Sequence, residues 1–265
     1  MHICLVYQKE HTRKTNQREV KSQMKEVILR TENIRKTFVV GENVQNILNG
    51  IDLEVYKGDF TVVMGSSGSG KSTLLYTLSG MDSPSEGKIF FGNEEISRYS
   101  QDKLAVFRRN HCGFVFQQNC LIDSMSIMDN VLSAGFLVKQ DKKALINRAN
   151  ELFDIVEVQP HTRVKMPNQI SGGRAQRVGI VRALINNPEL LFADEPTGAL
   201  NSKTSIEVLD TFTSFNQRGQ SIVMVTHDIQ SALRGNRGAR SGHNGKNTTA
   251  LPWYFCKSSI LLLRS

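Results

Sequence analysis

The residue types most able to do chemistry lie in one glycine-rich stretch, "GSSGSGKS", which follows an apolar strand and precedes a helical run. Its glycines let the backbone curl so that N–H groups converge on phosphate oxygens, and the helix N-terminus adds partial positive charge. Lys71 can reach the outer phosphates of a nucleotide, and the Ser72 hydroxyl can ligate Mg²⁺. The strand–loop–helix context argues against a merely flexible Gly/Ser turn. The predicted phosphate-binding residues are Gly65, Ser66, Ser67, Gly68, Ser69, Gly70, Lys71, Ser72 and Thr73.

Several polar residues follow other predicted strands. Asp194 closes the apolar run "ELLFAD" and can hold the shell of a Mg²⁺ ion, while Glu195 is placed to act as a general base on water. His227 ends "IVMVTH" and Gln117 follows "GFVF", and functional residues of α/β proteins gather at such strand ends. Gln117 could contact the metal or the water. Phe38 could stack on an adenine or lie in the core, and the sequence leaves both interpretations open.

A second glycine-rich turn, Ser171-Gly172-Gly173, precedes a helix that we expect to begin near Arg174. This turn offers another helix N-terminus with free N–H groups. Apolar residues along the helix can pack against a core, namely Val178, Val181 and Leu184. Taken alone, a connector between two elements is the simpler interpretation of these glycines.

The positive charge of the chain is confined to its two ends. The 265 residues carry a net charge of +8, with six Lys/Arg and two Glu in residues 1–25 and five Lys/Arg without an acid in residues 237–265. Residues 26–236 are therefore close to neutral, so we expect no nucleic-acid partner.

The four cysteines lack C-x-x-C spacing, which argues against zinc and fits a reducing cytosol. No apolar run is long enough to cross a bilayer.

The order of predicted elements indicates an α/β fold. Strands come first, a helical block follows at about 118–184, and strands alternating with a helix return afterwards. This order predicts a phosphate-loop core with a mostly parallel sheet and flanking helices, an N-terminal antiparallel β part and an inserted α-helical subdomain. We expect residues 1–23 to be a flexible arm, 24–236 to be the folded domain, and 237–265 to be a disordered tail without a folded role.

Five motifs in a fixed order resemble the ATP-binding subunits of ABC transporters. They are "GSSGSGKS", Gln117, "ISGGRAQRV", "LLFADEPTGAL" and His227, and the resemblance covers roughly 26–236. The segment "ADEPTGALNSK" and the length of the chain are most similar to the subfamily that serves bacitracin-type antimicrobial-peptide export or resistance, macrolide efflux and lipoprotein release. The resemblance implies an ATPase on the cytoplasmic face of the membrane, attached through a permease subunit.

The resemblance also implies a role for the second glycine-rich turn. In this family two copies pack head to tail, so Ser171 and the Gly173 N–H of one copy would meet the γ-phosphate held by the other. Glu195 would be the catalytic base and His227 a γ-phosphate sensor. Gln117 would link the site to the helical subdomain, and "NCLIDSMSIMDNV" would receive a helix of the permease. The implied phosphate and Mg²⁺ ligands are Lys71, Ser72 and Asp194.

The sequence departs from the family pattern at three places. Arg174 stands where glutamine is usual, and Asn201 stands where aspartate is common, which removes a carboxylate from the expected dimer interface. Beyond Arg237 the usual strand–turn–strand pattern is missing. We therefore expect a reading-frame change or truncation near this point, with poor folding and weak activity. Met24 is the expected natural start, because "MKEVILRTENIRKTF" opens the family-like region.

Two other function classes compete with the transporter subunit. A non-transport ABC protein acting on DNA or ribosomes usually has long coiled coils or two such domains, and this chain shows neither. Another phosphate-loop enzyme, such as a GTPase or small-molecule kinase, is the second alternative. The guanine-specific N-K-x-D motif is missing from the sequence, which disfavours the GTPase. The transported substrate is not encoded in these motifs.

Overall fold

The protein is described by a computed structural model covering residues 26–139, 141–228 and 260–262. Four strands form an antiparallel sheet in the order β2-β1-β4-β5, and five form a parallel sheet in the order β6-β7-β8-β3-β9. The strands are β1 Val27–Val40, β2 Asn43–Tyr56, β3 Phe60–Met64, β4 Glu86–Phe91, β5 Glu94–Glu95, β6 Cys112–Val115, β7 Leu190–Asp194, β8 Ser221–Thr226 and β9 Ile260–Leu262.

Seven α-helices and one 3₁₀ turn fill the described chain between these strands. Polar side chains start most of the longer helices: Ser100 and Ser126 accept capping bonds, and so do Asp141 and Asn201. The helices are α1 Lys71–Leu78, α2 Gln101–His111, α3 Ile127–Gly135, α4 Lys142–Ile155, α5 Pro160–Arg163, α6 Gly172–Leu184 and α7 Ser202–Gln217, with the 3₁₀ turn at Pro167–Gln169.

The parallel sheet separates two hydrophobic cores. Every residue of β3, β7 and β8 is buried, as expected for central strands covered on both faces. Successive side chains alternate between the faces, so Leu191 and Met224 join the core formed with α3, α4, α6 and α7. Phe192 and Val223 point into the other core, which the antiparallel sheet and α1 complete. The predicted α/β class with an additional antiparallel β part is therefore confirmed.

The topology brings the predicted functional strand ends to one edge. Because β6, β7, β8 and β3 are parallel neighbours, their carboxyl ends lie along the same edge of the sheet. The glycine-rich loop follows β3, Asp194 ends β7, and His227 follows β8. Gln117 lies two residues after the end of β6. Four segments that are far apart in the sequence thus converge on one place.

Two details differ from the sequence-based expectation. Helix α6 begins at Gly172 rather than near Arg174, because the two glycines adopt helical geometry and Ser171 takes the N-cap position. Within the tail, residues 260–262 form β9, which pairs in parallel with β3. The expectation of no folded role is therefore wrong for these three residues. The backbone groups of β9 give the edge of β3 hydrogen-bond partners there. Residues 1–23 and 237–259 lie outside the described residues.

Asn201, one of the departures from the family pattern, has a local structural role. Its side chain oxygen accepts a hydrogen bond of 3.0 Å from the Thr204 N–H at the start of α7. Asparagine and aspartate are about equally good at this capping position. Asn201 therefore caps the start of α7 about as well as an aspartate would.

Candidate active site

The glycine-rich loop turns tightly between β3 and α1. Gly68 and Gly70 have φ angles of +79° and +86°, which favour glycine over residues with a side chain. A Cβ atom on Gly70 would also lie 2.8 Å from Ile47 Cγ2. Backbone conformation and close packing therefore both require glycine at the point where the loop enters the helix.

Lys71 is a buried cation at the first position of α1. Its side chain is only 4 % exposed, and its Nζ donates a 2.8 Å hydrogen bond to the Ser66 carbonyl. The same Nζ lies 3.6 Å from Glu195 Oε1. Burial of an ammonium is unfavourable unless it is paired, so these contacts stabilise the charge and tie the loop to the end of β7.

Asp194 is held by two hydroxyl groups of α1. Ser72 Oγ donates to its Oδ1 over 2.9 Å, and the Tyr76 hydroxyl donates to its Oδ2 over 2.6 Å. Burial and then the bond to Asp194 raise the pKa of Tyr76 to about 12, so the phenol keeps its proton at neutral pH. The sequence reasoning missed Tyr76. Its position four residues after Ser72, on the same face of the helix, was the available signal.

Glu195 has different partners and a constrained backbone. Its φ angle is +43°, which is uncommon for a residue with a side chain, and its N–H donates to the Val225 carbonyl over 3.0 Å. His227 Nδ1 lies 2.9 Å from Glu195 Oε2, while Lys71 approaches the other carboxylate oxygen. The Glu195 carboxylate therefore lies between His227 and Lys71, and these two contacts fix its orientation.

Gln117 lies beside the loop that follows Glu195. A Cβ atom on Gly198 would come within 2.8 Å of Gln117 Nε2, so the amide packs directly against that loop. Helix α6 anchors the segment around Gln117 at two points. Gln176 Nε2 donates to the Phe116 carbonyl over 2.8 Å, and Arg182 donates to the Asn119 carbonyl over 2.8 Å. The segment that carries Gln117 is thereby attached to the helix that begins at Ser171.

The second glycine-rich turn contacts α7 and the loop before it. A Cβ atom on Gly172 would make ordinary contact with Leu200, whereas one on Gly173 would overlap Thr204 Cγ2. Gly173 is buried, and Ser171, Gly172 and Arg174 are exposed. Ser171 is the N-cap of α6, yet its side chain makes no capping bond within the described helix. Gly173 thus has a packing role that the sequence reasoning did not identify.

Phe38 lies on β1 opposite Gln45 of β2. Its side chain is 40 % exposed, and Lys36 Nζ lies 5.0 Å from the ring centroid. This exposure excludes the alternative of a core residue. Adenine stacking by Phe38 stays a prediction.

The donors at this edge fit a nucleotide and Mg²⁺. Ser69 Oγ is buried in the glycine-rich loop without a hydrogen-bond partner among the described residues. A bound ligand could supply the missing hydrogen bond. Ser72 and Asp194 offer the oxygen atoms that Mg²⁺ prefers. A cavity of about 430 Å³ lies elsewhere, at the amino ends of β7 and β8. It contains none of the predicted site residues.

Comparison with known proteins decides the family. The ABC transporter family model matches residues 48–198. This chain belongs to the ABC transporter family. The bacitracin export ATP-binding protein BceA of Halalkalibacterium halodurans is 42% identical over 209 residues, which cover 77% of this chain and 81% of BceA. The lipoprotein-releasing system ATP-binding protein LolD of Aquifex aeolicus is 43% identical over 205 residues, covering 77% and 89%.

A solved structure supports the same assignment. The ATP-binding cassette MJ0796, described as a dimer in a post-hydrolysis state bound to ADP and Pi, is 36% identical with a TM-score of 0.71. The match covers 78% of this chain and 91% of that one. The predicted ATP-binding ABC subunit with ATPase activity, and its resemblance to the export and lipoprotein-release subfamily, are confirmed. The chain spans a third of the macrolide export ATP-binding/permease protein MacB of Bartonella henselae.

The described helices give no evidence of a bilayer-crossing segment. None of them is both long enough and apolar enough to span a membrane.

A substitution at Gly173 tests the packing role of this residue. We expect Gly173→Ala to lower the free energy of unfolding by about 1–3 kcal/mol, because the new methyl group overlaps Thr204 Cγ2. A second substitution, Thr204→Ser, removes the Cγ2 methyl group of Thr204, so the double variant should regain most of the lost free energy of unfolding. Urea denaturation of the single and double variants measures both effects. Gly172→Ala is the matched control, since a methyl group fits there. Equal stability of Gly173→Ala and Gly172→Ala would contradict the packing role.

Proposed function

We propose that two copies of this ATPase enclose ATP between them and use its hydrolysis to drive a membrane permease. The observation that carries the proposal is the position of Glu195, whose carboxylate lies between Lys71 and His227 and directly follows Asp194. A base, a cation and a metal-binding carboxylate at the carboxyl edge of a parallel sheet suit phosphoryl transfer to water. Membership of the ABC transporter family supports the same reaction.

In the proposed reaction Glu195 accepts a proton from water. The water oxygen attacks the γ-phosphorus, the bond to the bridging oxygen breaks, and ADP and Pi result. His227, donating from Nδ1, keeps the Glu195 carboxylate in one direction. Lys71 offsets negative charge on the transferring group. A bound Mg²⁺ would neutralise phosphate charge, and Ser72, Asp194 and Gln117 are its proposed ligands.

The contact between Lys71 and Glu195 suggests how substrate controls the base. The ammonium lies 3.6 Å from Glu195 Oε1, so this carboxylate oxygen is paired with a cation. Phosphate oxygens that bind Lys71 compete with Glu195 for the same ammonium. We propose that nucleotide binding thereby frees Glu195 to accept the proton of water.

A pair of chains explains the second glycine-rich turn. Ser171 is exposed, and its hydroxyl does not cap its own helix within the described residues, so it is available to a ligand on another chain. The N-terminus of α6 offers free N–H groups and partial positive charge to a phosphate. The dimeric MJ0796 cassette supports a paired arrangement. We propose that Ser171, Gly172 and Gly173 of one copy cover the γ-phosphate in the other. Phe38 is the proposed adenine contact.

Substitution of the proposed base tests this cycle. We expect Glu195→Gln to reduce ATP hydrolysis by about 10²–10⁴-fold, because the amide cannot accept the proton. ATP binding should survive, so the variant should form dimers with ATP and remain monomeric with ADP. Steady-state phosphate release and size-exclusion chromatography with light scattering measure the two effects.

The matched control for this test is Glu86→Gln. It makes the same chemical change on β4, where the side chain is 71% exposed. We expect wild-type hydrolysis and no ATP-trapped dimer from this control. A Glu195→Gln protein that hydrolyses ATP at the wild-type rate, or stays monomeric with ATP, would contradict the proposal.

The relatives support a proposal for the membrane partner and the cargo. MacB is named as an ATP-binding/permease protein, and BceA as a bacitracin export ATP-binding protein. We propose that this chain lies in the cytoplasm, attached to the inner face of the membrane through a separate permease, and serves export of or resistance to an antimicrobial peptide. Family similarity supports this assignment, and the BceA relative favours a peptide as the cargo.

Deletion of the gene in its native host tests the cargo. We expect increased sensitivity to bacitracin-type peptides and unchanged sensitivity to macrolides, because the energy for peptide removal is lost. Minimum inhibitory concentrations measure both, and a plasmid carrying Glu195→Gln should fail to complement where Glu86→Gln succeeds. A change confined to macrolides would instead assign macrolide efflux.

A further inference from the structure

Asp194 has one hydroxyl partner for each of its carboxylate oxygens. Ser72 donates to Oδ1 over 2.9 Å and Tyr76 donates to Oδ2 over 2.6 Å. The two donors are four residues apart and so share one face of α1. Ser72 is already among the proposed Mg²⁺ ligands, whereas Tyr76 takes no part in the proposed reaction.

The surroundings fix the direction of the Tyr76 hydroxyl. Its ring packs against the core that contains Leu75, Phe192 and Val225, and α1 holds its backbone. Asp194 is 7% exposed and ends a strand whose five residues are all buried. Neither partner is therefore free to turn away, so Oδ2 stays bonded to the phenol while Oδ1 faces the side of Ser72.

The two common divalent metals use carboxylates differently. Mg²⁺ requires near-ideal octahedral geometry at short distances, while Ca²⁺ accepts 6–8 oxygen ligands and often binds both oxygens of one carboxylate. A carboxylate with one oxygen held by a fixed neighbour offers a metal chiefly the other oxygen, which in Asp194 is Oδ1, whose partner Ser72 is itself a proposed Mg²⁺ ligand. Such a carboxylate suits Mg²⁺ better than Ca²⁺.

We propose that Tyr76 is a positioning residue that keeps Asp194 a one-oxygen metal ligand and so favours Mg²⁺ over Ca²⁺ at the nucleotide site. The inference rests on the proposed role of Asp194 in holding Mg²⁺. Ser72 cannot replace Tyr76, because its hydroxyl faces the oxygen that the metal uses.

Tyr76→Phe in the full chain tests this inference, since it removes the hydroxyl and keeps the packing ring. With a non-hydrolysable ATP analogue bound, displacement of Mn²⁺ by Mg²⁺ or Ca²⁺ is followed by electron paramagnetic resonance. We expect the Mg²⁺ affinity to fall about 10-fold, as typical for loss of a partner of a metal ligand, and the Ca²⁺ affinity to stay within about twofold. The Mg²⁺ concentration for half-maximal ATPase activity should rise in parallel.

Tyr56→Phe is the matched control. The Tyr56 hydroxyl also donates to a carboxylate over 2.6 Å, but to Glu54 at an exposed position of β2. It should leave both metal affinities unchanged. Equal changes in the Mg²⁺ and Ca²⁺ affinities of Tyr76→Phe, or no change in either, would overturn the positioning role. Mg²⁺-dependent hydrolysis by the wild-type protein reports separately on the proposed function.

Discussion

The buried ammonium of Lys71 is the constraint on which the candidate site depends. A charge that is only 4 % exposed destabilises the fold by several kcal/mol unless it is paired, and its partners are the Ser66 carbonyl and the Glu195 carboxylate. The first contact closes the glycine-rich loop on itself, and the second joins it to the end of β7. Because β8 lies between β7 and β3, His227 at the end of β8 reaches the same carboxylate.

Two adjacent carboxylates acquire different roles from their partners. Asp194 receives hydrogen bonds from the neutral hydroxyls of Ser72 and Tyr76, whereas Glu195 lies between Lys71 and His227. Neutral hydroxyl partners do not neutralise the Asp194 carboxylate, so it can still bind a cation through Oδ1. Lys71 and His227 orient the Glu195 carboxylate. Lys71 can release this carboxylate when a phosphate binds the lysine instead. The same strand end thus supplies a proposed metal ligand and a proposed base.

Much of this site could be predicted from the sequence, because strand ends of a parallel sheet meet at one edge. That rule alone predicts that the glycine-rich loop, Asp194, Glu195 and His227 lie together. It could not find contacts that depend on how helices pack. Tyr76 meets Asp194 because α1 lies against β7, and Gly173 has a packing role because α6 touches α7 at Thr204. Strand β9 was missed because its pairing with β3 is set by an open sheet edge, not by its own pattern.

Completion of each active site by a second chain is tested most directly by mixing two inactive variants. Glu195→Gln keeps an intact Ser171, and Ser171→Ala keeps an intact Glu195, so a mixed pair contains one site with both groups. The account predicts that the mixture hydrolyses ATP well above the rate of either variant alone, in phosphate-release assays at matched total protein. A mixture no more active than the average of the two separate variants would contradict it.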